Sequence, residues 1–265
     1  MFGLLLTAAM TSGAGEPPPQ LAPLQRALQR YDPILGSDLV LDGILHFPEV
    51  EKVLPDFYRQ LYERVHLRLV VSRHSFSLEP EGRSEELKAM VREQFLKIED
   101  ELRTSFSEML ENDPLVHLGQ LQEHLASYTM AVAQEANLQY RFNLRENTAL
   151  RLPQVLEFEL SPAGRLLQLT CVEKQHTLSV TFTTSEIEGR YYITGLDVVQ
   201  KKHGLDKYRR VDIEYQLVSG VRCPARIMLT TVDGQGRPVL VSGNLNPLSL
   251  VFHSVRVTRR KEDGP

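Results

Sequence analysis

The densest group of chemically active side chains in the sequence lies in one ten-residue segment, Lys201–Arg210. The segment contains His203 and Asp206, a combination that can act as acid and base in proton transfer. It also contains five cations around a glycine, which is typical of a solvated hairpin tip but equally suits contact with anionic lipid headgroups or an acidic protein surface. The cations that would make such a contact with a membrane or an envelope protein are Lys201, Lys202, Lys207, Arg209 and Arg210.

The other titratable residues form no recognisable catalytic arrangement. Glu157 with Glu159, and Glu186 with Glu188, are two apart on predicted strands, so each pair points to one side and is interpreted as facing solvent. The patterns G-x-S-x-G, H-E-x-x-H and G-x-G-x-x-G and the phosphate-binding P-loop are missing from the sequence. The sequence therefore predicts a protein that is not an enzyme and that has no metal site and no cofactor.

Composition indicates a soluble globular protein. The 265 residues are 42% hydrophobic and 24% charged, which is ordinary for such proteins. The formal net charge of −4 argues against a general nucleic-acid binder. Tryptophan is absent and aromatic residues make up only 7%, so platforms for stacking bases or sugars are scarce. We expect no nucleic acid among the partners.

The two cysteines, Cys171 and Cys223, allow two interpretations. They form no C-x-x-C pair and no cluster with histidine, so a structural zinc site is not expected. Each lies in or beside a predicted strand, where it is either a small buried apolar residue or half of a disulfide between strands. A disulfide would require an oxidising compartment.

Alternating apolar and polar residues dominate the stretch from Leu138 to Val257. Tyr140 and Phe142, and likewise Val180 and Phe182, stand two residues apart, and this period sends them to one face of a sheet. Short turns such as Ser161–Gly164 separate the segments. The pattern predicts an antiparallel meander of roughly eight to ten strands, a number at which a twisted sheet curls or closes.

The first half of the chain adds helices and further strands. Apolar residues recur every three or four positions over residues 85–111, which predicts one long amphipathic helix lying against the sheet. Shorter helices are expected around Leu24–Tyr31 and over Val50–Glu63. The remaining predictions are a strand near Leu39–Phe47, a strand over Val65–Leu78 with a bulge near Ser72–Ser75, and a short helix followed by a strand within Leu115–Ala136.

The first residues of the sequence indicate where in the cell the protein is located. Phe2–Met10 is a short apolar run, and Ser12 and Ala14 suit a signal-peptidase site after Ala14. No lysine or arginine precedes the run, so it is either part of a signal peptide or a flexible apolar tail. We expect export, for example to the periplasm. The predicted organisation is a signal peptide and extended Pro-rich linker (1–23), one α+β domain with a helical part (24–136) and a β-meander (137–258), and a charged tail (259–265).

The apolar faces of the sheet and of the long helix suggest a ligand site. If a curved sheet meets the helices incompletely, an apolar cavity opens between them, and such cavities hold lipid-like ligands in other curved β proteins. If the two faces meet fully, they form only a core. The side chains expected to line the cavity are Val91, Phe95, Ile98, Leu102, Phe106, Tyr140, Phe142, Phe158, Phe182 and Tyr215.

The C-terminal half resembles a known group of proteins. The strand at Val211–Tyr215, followed by the turn, proline and strand within Val218–Ile227, is similar to the pattern of the LolA/LolB-like outer-membrane lipoprotein-sorting group. The resemblance implies an incomplete barrel with a helical lid and a cavity for acyl chains. The fold class expected is therefore α+β, a curved antiparallel meander packed against N-terminal helices. The function expected is an exported carrier of an apolar ligand; the alternative is an envelope interaction or scaffold domain with a solid core.

Overall fold

The protein is represented by a computed structural model. The described residues are 19–31, 39–46, 48, 65–72, 75–82, 128–134, 137–144, 153–173, 176–202, 204–239 and 246–259. They form a 3-10 helix, Pro19–Leu21, one α-helix, α1, and twelve strands. The bounds are α1 Ala22–Gln29, β1 Leu39–His46, β2 Val65–Ser72, β3 Ser75–Gly82, β4 Tyr128–Gln134, β5 Leu138–Leu144, β6 Val155–Leu160, β7 Leu166–Glu173, β8 His176–Ile187, β9 Arg190–Lys202, β10 Leu205–Val218, β11 Val221–Val232 and β12 Leu248–Arg259.

The strands belong to one sheet in the order β3-β2-β1-β12-β11-β10-β9-β8-β7-β6-β5-β4. Every strand pair with a described register is antiparallel, and β4 to β12 follow one another as neighbours. The predicted meander is therefore confirmed. The order does not close, because β3 and β4 are its two ends. The nine strands β4 to β12 fall within the expected eight to ten, and β1, β2 and β3 join the same sheet beside β12.

Two local predictions were wrong. The expected bulge near Ser72–Ser75 is instead the junction of two antiparallel strands, in which Ser72 pairs with Ser75. The alternation of apolar and polar residues changes phase at this point because the chain reverses direction there. The Pro-rich linker also ends earlier than expected, since Pro19–Leu21 is helical and α1 begins at Ala22. Pro23 is tolerated there because the first turn of a helix needs no N–H donor from that residue.

Several other predicted elements are confirmed or lie outside the described residues. The helix near Leu24–Tyr31, the strand near Leu39–Phe47 and the strand that ends Leu115–Ala136 correspond to α1, β1 and β4. Residues 24–136 thus contribute four strands as well as α1. The helices expected over 50–63 and 85–111 and the possible signal peptide lie outside the described residues. Of the expected tail, Arg259 is the last residue of β12.

The chain divides into two compact units. The first comprises Met1–Pro33, Glu111–Val211 and Thr231–Arg237, and the second comprises Ile34–Leu110, Asp212–Thr230 and Pro238–Pro265. α1 and β4 to β9 belong to the first unit, and β1, β2, β3 and β12 belong to the second.

The second unit combines polar and close apolar contacts. Arg68 on β2 donates two hydrogen bonds to the carboxylate of Asp42 on β1, at 2.9 and 2.6 Å. The guanidinium holds the pKa of Asp42 below its usual value. One residue along β1, a Cβ on Gly43 would come within 3.3 Å of the Val255 side chain on β12. Glycine therefore allows β1 and β12 to approach at this point.

Candidate functional site

An unbroken apolar face crosses five strands of the first unit. The strand registers place Tyr140, Phe158, Leu169, Val180 and Val198 opposite one another in a row from β5 to β9. Their exposed fractions are 1%, 1%, 0%, 0% and 8%. Directly opposite residues in antiparallel strands have side chains on the same face. One continuous apolar row therefore runs across the sheet of this unit.

A second apolar row lies beside the first. Phe142, Leu156, Cys171 and Leu178 face one another across β5 to β8 and are buried. The rings of Phe142 and Phe158 join the two rows edge to face, with centroids 6.1 Å apart. Such packing leaves the rings in fixed relative positions.

The structure brings together four of the ten side chains predicted to line a cavity. Tyr140, Phe142, Phe158 and Phe182 lie on strands of the first unit and are all buried. Tyr215 lies in the second unit and is half-buried. The other five lie outside the described residues: Val91, Phe95, Ile98, Leu102 and Phe106.

The hydroxyl of Tyr140 is a polar atom within this apolar surrounding. It is buried and has no hydrogen-bond partner among the described residues. The backbone N–H of Leu24 in α1 points toward the hydroxyl and lowers the pKa of Tyr140 by a weak hydrogen-bonding interaction, but the pair does not reach the geometry of a normal hydrogen bond, and burial outweighs it and raises the pKa above its usual value. A buried hydroxyl without a partner costs free energy, because it has lost its hydrogen bonds to water. This hydroxyl is therefore available to a ligand's polar group.

The apolar face becomes accessible at its β4 margin. Val132 on β4 pairs with Tyr140 and so stands on the same face. Its side chain is 38% exposed, whereas Tyr140 is 1% exposed. The Tyr140 position is thus one strand away from an apolar side chain that meets solvent.

Polar contacts hold the C-terminal end of α1 against strands β7 and β9 of the first unit. The Tyr31 hydroxyl accepts a hydrogen bond of 2.7 Å from the backbone N–H of Leu166 on β7. The Tyr31 and Tyr191 rings pack with centroids 5.2 Å apart, and the Tyr191 N–H donates to the carbonyl of Arg30 at 2.7 Å. Burial raises the pKa of Tyr31, although the Leu166 N–H opposes the increase. Tyr31 is therefore neutral and well bonded at physiological pH.

Arg30 extends this arrangement, which we call the α1 clasp (Arg30, Tyr31, Arg165, Glu186 and Tyr191). The Arg30 guanidinium lies 4.1 Å from the centroid of the Tyr191 ring and forms an ion pair of 2.8 Å with Glu186. Arg165 lies 3.5 Å from the other oxygen of the same carboxylate. Glu186 was interpreted from the sequence as a solvent-facing strand residue, and its pairing with two arginines was missed.

A signal for the clasp does exist in the sequence. Tyr191, Tyr192 and Ile193 are three consecutive large apolar residues, which interrupts the alternation of β9. All three are buried, and the β8–β9 register shifts between Thr183 and Thr184. The bulge lies at Thr194 and places Ile193 on the same face as Leu196, whereas Tyr192 points to the opposite face and is buried there.

The cationic segment forms the tip of the β9–β10 hairpin. Lys201, Lys202 and Lys207 are exposed and form no ion pair among the described residues. Leu205 is 71% exposed between them. Asp206 accepts a hydrogen bond of 3.0 Å from the Tyr208 hydroxyl. The tip thus combines exposed positive charge with one protruding apolar side chain.

Two arginines predicted for this surface are engaged or partly covered. Arg210 forms an ion pair of 2.9 Å with Asp197 on β9, and Arg209 is half-buried. His203, the suggested partner of Asp206 in proton transfer, lies outside the described residues. The exposed contribution to the predicted docking surface therefore comes mainly from the lysines.

Both cysteines are free and buried. Burial, with a smaller contribution from the charge of Glu173, raises the pKa of the Cys171 thiol to about 12. Burial also raises the pKa of Cys223. Both thiols are consequently protonated and poorly nucleophilic near neutral pH, and the interpretation as small buried apolar residues is confirmed.

The described residues include no group of three or more metal-ligating side chains. Among the same residues, no helix has the length and hydropathy needed to span a bilayer. Comparison of the chain with protein-family models found no match, and neither the curated proteins nor the solved structures gave one.

Proposed function

We propose that the protein binds an apolar, lipid-like ligand on the buried face of the first unit and is not an enzyme. The observation that carries the proposal is the pairing of that face with the partnerless Tyr140 hydroxyl. Ligand sites for apolar molecules combine an apolar wall with a few placed polar groups. Here the wall is supplied by β5 to β9 and the polar group by Tyr140.

The geometry suggests how such a ligand would lie. An acyl chain would follow the row from Phe158 to Val180, and its carbonyl or hydroxyl would bond to Tyr140. The exposed Val132 marks the nearest margin for entry. Because the face is covered by the chain in this conformation, binding requires the covering groups to separate from the sheet.

The cationic hairpin supports a related proposal about the partner. Three lysines that form no ion pair among the described residues, beside an exposed leucine, suit an anionic membrane surface, because the amines meet headgroups while the apolar side chain enters the interface. A carrier of lipids would load or unload at such a surface. Export, a curved incomplete barrel and kinship with LolA/LolB-like carriers remain part of this proposal.

A binding titration tests the proposed function. The purified protein is delipidated and titrated with a dansyl-labelled fatty acid, whose fluorescence rises in an apolar site. We expect saturable binding by the natural protein and weaker binding by Tyr140→Phe, which removes only the hydroxyl. No saturable increase in fluorescence would overturn the proposal.

The second candidate is an interaction or scaffold domain with a solid core. The exposures of 0–8% along the Tyr140–Val198 row favour it, because a filled core gives the same burial. Val180→Phe separates the two candidates. In a solid core the larger ring destabilises the fold by roughly 1–3 kcal/mol, whereas in a ligand site it is tolerated and blocks the fatty acid.

A further inference from the structure

The two ends of the sheet differ in how they are protected against pairing with another strand. β3 contains Glu79, Pro80 and Glu81, and proline has no N–H to donate to a further strand. Charges and prolines are the usual protection of an edge strand. β4 reads YTMAVAQ and contains no charged residue and no proline. The β4 end therefore lacks the sequence features that keep strands apart.

The described side chains of β4 are largely accessible. Thr129, Ala131 and Ala133 are exposed, and Val132 is 38% exposed although it stands on the apolar face. Among the described strands, β5 is the one neighbour of β4 in the strand order. One edge of β4 is thus paired, and its other edge has no partner among the described strands.

We propose that β4 pairs antiparallel with β4 of a second copy of this chain, forming a twofold dimer. A twofold interface uses the same surface on both copies, so the strand must be complementary to itself. Pairing centred on Ala131 aligns all seven residues and places Met130 opposite Val132 of the other copy. Since β4 is uncharged, this self-pairing brings no like charges together.

The dimer would also cover the exposed margin of the apolar face. Met130 and Val132 lie on the side of β4 that carries Tyr140 and Phe142 across the β5 ladder. Pairing with a second β4 would cover Val132 with an apolar neighbour from the other copy. The inference concerns the edge strand alone and does not require that a lipid be bound.

Charge substitutions at the twofold position test this pairing. Ala131 pairs with itself, so Ala131→Lys places two ammonium groups opposite each other, and Ala131→Glu does the same with carboxylates. We expect sedimentation equilibrium to show a dimer for the natural protein and a dissociation constant raised about tenfold or more in each variant. An equimolar mixture of the two variants should restore the dimer. Thr181→Lys, at an exposed position on the interior strand β8, is the matched control.

A crosslinking measurement keeps the test independent of those variants. Directly opposite residues have Cβ atoms about 4.5–5.5 Å apart, so Ala131→Cys should form an intermolecular disulfide under mild oxidation. Thr181→Cys should not. A natural protein that stays monomeric at every concentration, a dimer unaffected by Ala131→Lys, or equal crosslinking of the two cysteine variants would each overturn the proposal.

Discussion

The two ends of helix α1 meet the first unit through tyrosines in opposite states. At the C-terminal end the Tyr31 hydroxyl accepts a hydrogen bond from the Leu166 N–H. At the N-terminal end the Tyr140 hydroxyl lies near the Leu24 N–H but forms no hydrogen bond of normal geometry with any described residue. Both rings are buried, at 5% and 1% exposure, so burial alone does not distinguish them. The hydrogen bonding of their hydroxyls distinguishes the two tyrosines.

The difference separates a structural group from a candidate binding group. A buried polar group that is fully bonded stabilises the fold and has nothing left to offer a ligand. A buried group without a partner weakens the fold and is explained only by another role or by a molecule that completes it. Tyr31 belongs to the first kind and Tyr140 to the second.

Alkaline unfolding should show the largest effect of burying hydroxyls in this unit. Burial raises the pKa of Tyr128 to about 12, from 10.0, and the hydroxyl donates a hydrogen bond of 3.0 Å to the Pro153 carbonyl. Below about pH 10 the folded and unfolded chains are equally protonated at Tyr128. Above it the unfolded chain releases the proton first, so the free energy of unfolding falls by about 2 kcal/mol by pH 12 from this residue. Urea unfolding across this range measures the loss.

Tyr128→Phe is the control for that titration. The variant loses the bond to Pro153 and starts from a lower stability, but its stability should fall less between about pH 10 and about pH 12. Cys171 titrates in the same range in both proteins, and its charge adds to the increase in the Tyr128 pKa, so the difference between the two pH profiles reports burial of Tyr128 together with this interaction. Parallel pH profiles for the two proteins would contradict the burial account of Tyr128.

Tyr31→Phe should destabilise the protein by about 2 kcal/mol, because it leaves the buried N–H of Leu166 without its acceptor. Urea unfolding at neutral pH measures the change. A Tyr31→Phe variant as stable as the natural protein would show that the clasp does not depend on this hydrogen bond.

The same substitution at Tyr140 should change the free energy of unfolding in the opposite direction. Tyr140→Phe removes a hydroxyl that is buried without a partner, so we expect the free energy of unfolding of the ligand-free protein to rise by about 1 kcal/mol. The measurement is the same urea titration. Destabilisation by Tyr140→Phe would mean that the hydroxyl is already bonded in the free protein, and the distinction from Tyr31 would be lost.

The smallest effect is expected for the ion pair of the clasp. Arg30 and Glu186 are each 39% exposed, so solvent screens their attraction. A double-mutant cycle with Arg30→Met and Glu186→Gln should give a coupling free energy of about 0.5 kcal/mol, decreasing with added salt. A coupling that salt does not reduce would indicate that packing on Tyr191, rather than charge, joins the two residues.

The strands were largely predictable from the sequence because their signal is local. Alternation every two residues placed Tyr140, Phe142, Phe158 and Phe182 on one buried face, as observed. Local patterns could not assign β1, β2 and β3 to the same sheet, since strand pairing depends on residues far apart in the chain. The reversal between Ser72 and Ser75 was misinterpreted because a bulge and a hairpin shift the phase of alternation alike.

The candidate site was predictable in its apolar part only. Arg30 and Glu186 are separated by 156 residues, so no local pattern could join them. The state of the Tyr140 hydroxyl was equally hidden, because the alternation treats a tyrosine as an apolar residue on the buried face. Hydrogen bonding within that face is a property of the folded packing and has no counterpart in the spacing of residues.

The most direct test of the account compares the stabilisation by a ligand in two proteins. The free energy of unfolding is measured for the natural protein and for Tyr140→Phe, each delipidated and then saturated with the dansyl-labelled fatty acid. A ligand that binds only the folded state raises this free energy according to its affinity. We predict that the fatty acid stabilises the natural protein and stabilises Tyr140→Phe less, although the variant is the more stable of the two without ligand. Equal stabilisation of both, or of neither, would contradict the role assigned to Tyr140.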